Sequence, residues 1–528
     1  MSQKNTFTIL SITAMMALVI LACGGSAAIP EIIREFDQQV PFVAGAEEPM
    51  LELESLAEMP LPSATLAAPN DEPYIDTFFD NYGVNPFIDT EDDTLSTFAL
   101  DVDTGSYTVA RRYVSDGHLP DKDSIRVEEF VNYFDQGYAF PPAGQAFAIH
   151  IDGGPAPFTE TDRYQMLRVG IQGYAVPADE RKDVNLTFVI DVSGSMDMEN
   201  RLELVKDALE LLVAQLRPTD SVGIVVYGSE AHTVLEPTSG AETETIMSAI
   251  HALHPEGSTN AEAGLQLGYR LAMQAFNSEG INRVILCSDG VANVGNTGAG
   301  GIWESIASYA SEGVTLTTVG FGMGNYNDVL MEQLADGGDG HYAYVDALPE
   351  AERLFVDNLT STLQVIAMNA KVQVDFNPEV VARYRLVGFE NRAISDEDFR
   401  DDTVDAGEIG AGHSVTALYE VKLLPDASGP IGTVYLRWED PDTHEVSELN
   451  ESFHSEQFYA SFAEADMHFQ WSIIVAEYAE LLRESYWAQS STMSGVLEEA
   501  QRISRLLDFH PDVTEFAGLV EQANLLLQ

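Results

Sequence analysis

Acidic and hydroxyl side chains occur together at three places in the middle of this 528-residue chain. Asp191, Ser193 and Ser195 alternate along a glycine-containing turn that directly follows a short apolar run. Thr259 lies in a second polar loop, and Asp289 follows another apolar run. Carboxylate and hydroxyl oxygens are hard ligands that suit Mg²⁺, Ca²⁺ or Mn²⁺. These residue types therefore indicate a divalent-cation site if the fold brings the three loops together.

The segment around these loops has the pattern of an open α/β sheet. Residues 184–360 alternate apolar runs with amphipathic helical stretches, which is typical of a mostly parallel sheet covered on both faces. Asp191 and Asp289 each come where a predicted strand ends, and a helix is predicted over 200–217. In a doubly wound sheet, ligands bind beside the carboxyl ends of the strands, at the point where the strand order reverses. We therefore expect the three loops to converge there.

The three loops resemble the metal-ion-dependent adhesion site of von Willebrand factor type A (VWA) domains. Asp-Val-Ser-Gly-Ser at 191–195 is similar to its first part, and Gly-Ser-Thr-Asn at 257–260 and Ser-Asp-Gly at 288–290 are similar to the other two. Each piece is common alone, but all three stand in the expected order within an α/β alternation. The resemblance implies that the serines and the threonine approach the ion, while the aspartates often act through water. It gives the expected metal ligands as Asp191, Ser193, Ser195, Thr259 and Asp289.

Such a site implies binding rather than catalysis. Mg²⁺ prefers near-octahedral oxygen coordination and commonly keeps water ligands. With few charged ligands and one open position, the ion stays electrophilic enough to take an Asp or Glu carboxylate from a protein partner. The chain has neither a Gly-x-Ser-x-Gly nucleophile elbow nor a Gly-x4-Gly-Lys-Ser/Thr phosphate loop. We therefore expect a cation-dependent protein-binding module and no enzyme. A structural envelope scaffold with a stabilising metal is the alternative, and a hydrolase ranks third.

Besides the three loops, further stretches of the chain are informative, and they lie at 98–107, 127–134, 314–322, 325–328, 337–342, 384–392 and 405–419. These stretches resemble the YfbK-like family of bacterial VWA lipoproteins. The resemblance covers residues 75–528 and includes the family's C-terminal domain of unknown function. The family has no established activity or ligand, so the resemblance implies architecture more than biology.

The first residues have the pattern of an export signal. Lys4 precedes a mostly apolar stretch over 7–21, which is short for a spanning helix and suits a secretory signal. Ala22 and Cys23 resemble a bacterial lipobox, in which the cysteine is cut free and lipidated. An ordinary signal peptide or an N-terminal anchor is the alternative, and no other apolar run is long enough to span a bilayer. We therefore expect an exported chain that is lipid-anchored to the cell envelope through Cys23.

Period-two alternation predicts strands on both sides of the VWA-like segment. It occurs over 147–171 and returns only after residue 370, and we expect both sets to build one β-sandwich into which the α/β domain is inserted. Two separate small β units are the alternative.

The predicted class is multidomain α/β plus β, with a Rossmann-like doubly wound VWA domain inserted in the β-sandwich and a helical C-terminal region. The predicted boundaries are a signal peptide (1–22), a flexible acidic, Pro-rich tether (23–74), a VWA-family N-terminal region (75–180), the VWA domain (184–360), a β-rich domain (366–456) and C-terminal helices (457–528).

Three further features have both a chemical and a structural interpretation. Asp103-Thr-Gly matches the tripeptide of aspartic proteases, but those enzymes need two facing copies and this chain has one, so only an intimate homodimer would supply the pair. Asp101 and Asp103 together would hold a cation, or would form a turn that caps the next helix. Cys287 lies in an apolar run and is expected in the core rather than as a nucleophile. Trp471 is expected in the core rather than in a ligand cage.

The charge balance limits the partners. The chain has 85 acidic and 26 basic residues, a net charge of −59. We therefore expect no nucleic-acid binding through a basic face. A solvated acidic surface is the simplest interpretation, and an acidic recognition surface is the alternative. Such acidity also enriches divalent cations near the protein.

Overall fold

The fold is given by a computed structural model that describes residues 79–158, 164–290, 299–322, 328–507 and 509–528. These residues all belong to one unit, Thr65–Gln528. The predicted signal peptide, Cys23 and the predicted tether lie outside the described residues.

The strands of this part of the chain form three sheets. In chain order they are β1 Ile88–Asp89, β2 Leu95–Ala99, β3 Phe147–Gly154, β4 Tyr164–Gly173, β5 Val184–Asp191, β6 Ser221–Tyr227, β7 Ala231–Ser239, β8 Ile281–Ser288, β9 Val314–Phe321, β10 Tyr342–Val345, β11 Val365–Phe376, β12 Val381–Val387, β13 Gly407–Gly410, β14 Ser414–Leu423, β15 Pro430–Glu439 and β16 Val446–His454. The helices are α1 Gly105–Ser115, α2 Val127–Asn132, α3 Arg201–Val213, α4 Thr243–His251, α5 Ala261–Gln274, α6 Ala299–Ser311, α7 Asp328–Asp336, α8 Leu348–Glu352, α9 Leu359–Leu363, α10 Met467–Leu482, α11 Met493–Leu506 and α12 Pro511–Leu526. None of the helices in the described ranges combines the length and apolarity needed to cross a membrane.

The central sheet has the strand order β10-β9-β8-β5-β6-β7, and only β7 runs antiparallel to its neighbour. The chain places β6 on one side of β5 and later returns to place β8 on the other side, so the strand order reverses at β5. The strands are apolar along most of their length because helices cover both faces. Helices α3 and α4 pack on one face, and α5, α6 and α7 pack on the other. The predicted doubly wound VWA fold is confirmed.

Strands from before and after this region share the other two sheets. One sheet has the order β1-β12-β14-β4-β3, and the other has the order β13-β11-β15-β16, with β2 also paired to β11. β4 forms an antiparallel ladder with β14, in which Val169 lies opposite Ala417. The inner faces of the two sheets bury one common core. The predicted single β-sandwich is therefore confirmed, and the alternative of two separate β units is wrong.

Helix α1 joins two hydrophobic cores. Its Val109 and Tyr113 pack in the core on the α5–α7 face of the central sheet. Its Tyr107 and Ala110 pack instead with α2 and the three C-terminal helices. Trp471 is only 2% exposed at the centre of this second core, so the prediction that it is a core residue is confirmed. The periodicity of the sequence did not indicate that the N-terminal and C-terminal helices share a core.

Candidate metal centre

The first predicted loop is held rigidly at the carboxyl end of β5. Asp191 is fully buried as the last residue of that strand. Its Oδ1 accepts a hydrogen bond from the Ser193 backbone N–H at 2.8 Å, and its Oδ2 accepts one from the Ser288 hydroxyl at 3.0 Å. The hydroxyl oxygens of Ser193 and Ser195 lie 3.0 Å apart. The structure therefore brings the two predicted serine ligands to one side of the turn, next to a fixed carboxylate.

The second predicted loop is fastened to the first by the backbone. The Glu256 N–H donates to the Val192 carbonyl at 2.5 Å, and the Gly194 N–H donates to the Gly257 carbonyl at 3.2 Å. Gly257 has a φ of +76°, and a Cβ there would overlap the Ser229 side chain, so only glycine fits this close approach. Thr259 is half-buried in this loop, two residues before α5 begins. The structure thus places the threonine's loop against the serines' loop.

The third predicted loop brings a second buried carboxylate. Asp289 directly follows β8, the parallel neighbour of β5, and it is 2% exposed. Arg201 Nη1 donates to its Oδ2 at 2.6 Å and lies 3.4 Å from the Ser195 carbonyl oxygen. Burial raises the pKa of Asp289, while the Arg201 guanidinium acts in the opposite direction. Asp289 is therefore part of an ion pair before any metal is considered.

The electrostatics of the site favour added positive charge. Burial, followed by the nearby Asp289 carboxylate, raises the pKa of Asp191 to about 6, against the hydrogen bonds from Ser193 and Ser288. Burial, followed by the Asp191 carboxylate, also raises the pKa of Tyr227. Tyr227 is the last residue of β6 and lies beside Asp191 of β5 in the sheet. Two neighbouring buried carboxyls are stabilised by a cation. Their oxygens and the adjacent hydroxyls are the hard donors that Mg²⁺ prefers, so the donor set fits a divalent cation.

Three residues of this site did not stand out in the sequence: Arg201, Tyr227 and Ser288. Ser288 had a local signal, because it directly precedes Asp289 at the end of a strand. Arg201 had a weaker signal in the sequence. A basic residue at the start of a helix interacts unfavourably with the helix dipole, so its presence there indicates a stabilising partner elsewhere. Tyr227 had none, because an aromatic residue at the end of a buried strand is ordinary.

The acidic pair Asp101 and Asp103 lies in a different cluster, whose cation is a guanidinium. The carboxylates of Asp101, Asp103 and Glu332 approach within 4.8 Å of one another. Arg392 contacts all three, Asp101 at 2.9 Å through Nε and, through Nη2, Glu332 at 2.9 Å and Asp103 at 3.5 Å. Asp103 Oδ1 also accepts from the Tyr342 N–H at 3.0 Å. These contacts occupy Asp103 and do not suit the protease interpretation.

The predicted helix cap at Asp101 and Asp103 is wrong. Asp101 does form a turn by accepting the Asp103 N–H at 2.8 Å, but neither carboxylate caps α1. Both face Arg392 instead, and Glu129 accepts the Ser106 N–H at the start of α1.

Cys287 is 1% exposed in β8, and burial raises the pKa of its thiol, so the prediction that it is a core residue is confirmed.

The fold and the three loops define a VWA-domain protein. The family model described as the von Willebrand factor type A domain matches residues 185–357, and the one described as von Willebrand factor matches residues 74–168. A third, described as the C-terminal region of the uncharacterized protein YfbK, matches residues 361–526. VWA domains commonly bind protein partners.

Similarity to one relative extends over most of the chain. The chain is 35% identical to the uncharacterized protein YfbK of Escherichia coli over 472 residues, which covers 84% of this chain and 81% of that protein. The chain therefore belongs to the YfbK-like family of bacterial VWA proteins. It is also 27% identical to the uncharacterized protein sll0103 of Synechocystis, over 54% of this chain and 69% of that protein.

Two solved structures are among those that are similar to this chain. One is a von Willebrand factor type A protein from Catenulispora acidiphila, with a TM-score of 0.43 and 14% identity over 74% of this chain and 97% of that one. The other is the ArnB paralog VWA2 from Sulfolobus acidocaldarius, with a TM-score of 0.36 and 17% identity over 72% of this chain and 98% of that one.

Proposed function

We propose that this chain is a divalent-cation-dependent protein-binding module. The observation that carries the proposal is the meeting of two buried carboxylates, Asp191 and Asp289, with a pair of serine hydroxyls 3.0 Å apart at the strand-order reversal. This is where an open α/β sheet binds its ligands. The ion would be Mg²⁺, or Ca²⁺ or Mn²⁺. The proposed ligand set is Asp191, Ser193, Ser195, Thr259 and Asp289.

Each residue has a distinct task in this proposal. Asp191 supplies negative charge in a fixed orientation, because Ser193 and Ser288 hold both of its oxygens. The hydroxyls of Ser193 and Ser195 offer neutral oxygens, and the backbone bonds between the loops keep Thr259 on the same side. When bound, the ion supplies a positive charge with an open coordination position. The surrounding loops then determine which carboxylate-bearing partner fits.

The partner would be a protein that presents one Asp or Glu side chain. A net charge of −59 repels extended acidic surfaces, so the partner's carboxylate should stand within a neutral or basic surface. This requirement distinguishes a single inserted carboxylate from general attraction between charged surfaces. The alternative role is a structural scaffold in which the metal only relieves the repulsion between the two buried carboxyls.

Replacing Asp191 with asparagine should abolish cation-dependent binding while preserving the loop. The asparagine carbonyl can still accept the Ser193 N–H, and its amide can donate to Ser288, whereas alanine would leave both partners unsatisfied. We expect the variant to lose the Mg²⁺-induced rise in melting temperature. It should also lose partners that are captured from envelope extract in Mg²⁺ and released by chelator.

Asp207→Asn is the matched control, because it makes the same charge change at an exposed position of α3. Capture that persists in chelator, or in the Asp191 variant, would contradict the proposal. A large melting shift in Mg²⁺ without any cation-dependent partner would favour the scaffold role.

We also propose that the chain is exported and held at the envelope by a lipid on Cys23, on the basis of its N-terminal sequence. Cys23→Ser should then move the chain from the membrane pellet to the soluble fraction of bacteria that express it. Cys287→Ser removes the other thiol, which is buried in β8, and should leave the distribution unchanged. Fractionation with mass analysis of the N-terminal peptide checks this, and an unaltered chain whose N-terminal peptide carries no lipid on Cys23 would rule out lipid anchoring.

A further inference from the structure

We propose that Arg201 makes the metal centre cooperative, so that the cation and the partner's carboxylate strengthen each other's binding. The inference rests on the proposed function, because it concerns the same site. Its basis is the buried ion pair between Arg201 and Asp289, one of the proposed ligands. The pair neutralises one of the two carboxylates that would otherwise balance the charge of the ion.

The packing around Arg201 shows that its position is built into the fold. The residue begins α3, where the helix dipole disfavours a cation, yet its side chain is 2% exposed. Gly322, directly after β9, has a φ of +84°, and a Cβ there would overlap the Arg201 side chain. The glycine thus leaves room for the guanidinium. Local helix preference does not explain this placement, whereas the contact with Asp289 does.

The ion pair is specific to one of the two site carboxylates. Within the described ranges, the salt bridge of Arg201 is with Asp289, at 2.6 Å. Asp191 is held instead by a backbone N–H and a hydroxyl, which carry no net charge. Asp191 therefore keeps its full negative charge for an incoming cation, and Asp289 does not.

The net charge of these three side chains determines how the cation and the carboxylate bind. Asp191, Asp289 and Arg201 together carry one net negative charge. A divalent cation would change this to one net positive charge, and a partner's carboxylate would then bring the site to neutrality. Uncompensated charge is costly in a buried, weakly polarisable site. The ion alone should therefore bind weakly, and the ion together with a carboxylate should bind much more tightly.

Linkage makes this effect reciprocal: a carboxylate must raise the affinity for Mg²⁺ by the same factor as Mg²⁺ raises the affinity for the carboxylate. Couplings between sites in proteins are commonly about 5- to 150-fold. Without Arg201, the two aspartates would balance the ion fully. Mg²⁺ should then bind more tightly alone and gain little from a carboxylate.

Calorimetric titration of the full chain with Mg²⁺, in chloride and in acetate at equal ionic strength, tests this inference. Acetate is the carboxylate probe. We expect acetate to increase the Mg²⁺ affinity of the unaltered chain by about fivefold or more. Arg201→Gln should raise the affinity in chloride by a similar factor and remove the acetate effect. Arg201→Lys keeps the charge and should retain the effect of acetate.

Lys206→Gln removes one positive charge from the same helix, where Lys206 pairs with Glu203 rather than with the site. It should behave like the unaltered chain. The acetate comparison on the unaltered chain needs no variant, so a folding defect in Arg201→Gln would not remove the test. Mg²⁺ binding that is indifferent to acetate would overturn this inference alone. No Mg²⁺ binding in either salt would overturn the proposed function as well.

Discussion

Replacing Arg392 with glutamine should destabilise the folded chain by about 3–5 kcal/mol, because it leaves a group of buried carboxylates without their cation. The guanidinium contacts Asp101, Asp103 and Glu332, and it also reaches Asp336 at 3.1 Å. The first two acids follow β2 of the sandwich, and the other two lie on α7 of the VWA domain. The Arg392 side chain therefore links the segment after β2 to helix α7 through ion pairs.

The Arg392 prediction is checked by urea unfolding followed by circular dichroism. Arg437→Gln is the control, since Arg437 pairs with the exposed Asp402 at 2.7 Å, and surface pairs of this kind contribute about 1 kcal/mol or less. Adding Glu332→Gln to the Arg392 variant should recover part of the loss, because it removes one of the unbalanced charges. A loss below about 1 kcal/mol in the single variant would show that water or rearrangement replaces the guanidinium.

Local sequence was sufficient to predict that loops of the candidate metal site would lie together. Asp191 and Asp289 each stand where a predicted strand ends, and parallel strands end on the same edge of the sheet. That geometry places two loops together although 98 positions separate the two aspartates. The same reasoning gave the single sandwich, because the alternating pattern stopped before the VWA segment and resumed after it.

The arginine partners could not be predicted in this way. Arg201 and Asp289 are 88 positions apart, and Arg392 and Asp101 are 291 apart. Hydrophobic periodicity states which face of an element is buried, but not which charge on a distant element meets it. The shared core of the N-terminal and C-terminal helices escaped prediction for the same reason. Each helix shows an apolar face, and nothing in that face specifies its partner.

The distribution of cations explains how so acidic a chain folds. Several of the 26 basic residues lie inside the protein as partners of buried acids. Arg111, for example, is 9% exposed and contacts Asp346 at 2.6 Å and Glu350 at 2.7 Å. With these arginines committed to the interior, the surface retains a large excess of carboxylates. This arrangement supports the interpretation of the charge as a solvated acidic surface.

Trp471→Ala should cost about 3–5 kcal/mol of folding free energy, the usual range for removing a large buried aromatic side chain. The indole lies in α10, with ring centroids 5.1 Å from Phe134 and 4.9 Å from Phe516. The indole therefore packs against both the segment after α2 and helix α12, which are far apart in the sequence. Tyr486→Ala is the control, because that ring is 67% exposed and its loss should be nearly neutral.

Calorimetry of the Trp471 variant also reports on cooperativity. Helix α1 packs Tyr107 into the same core as Trp471 and Val109 into the core of the central sheet. A defect beside Trp471 should therefore lower the melting temperature of the sheet as well, in a single transition that Mg²⁺ still raises. Two separate transitions, with only one shifted, would show that the helical core folds independently. In that case the metal centre would not depend on the C-terminal helices, and the VWA segment alone would suffice for cation binding.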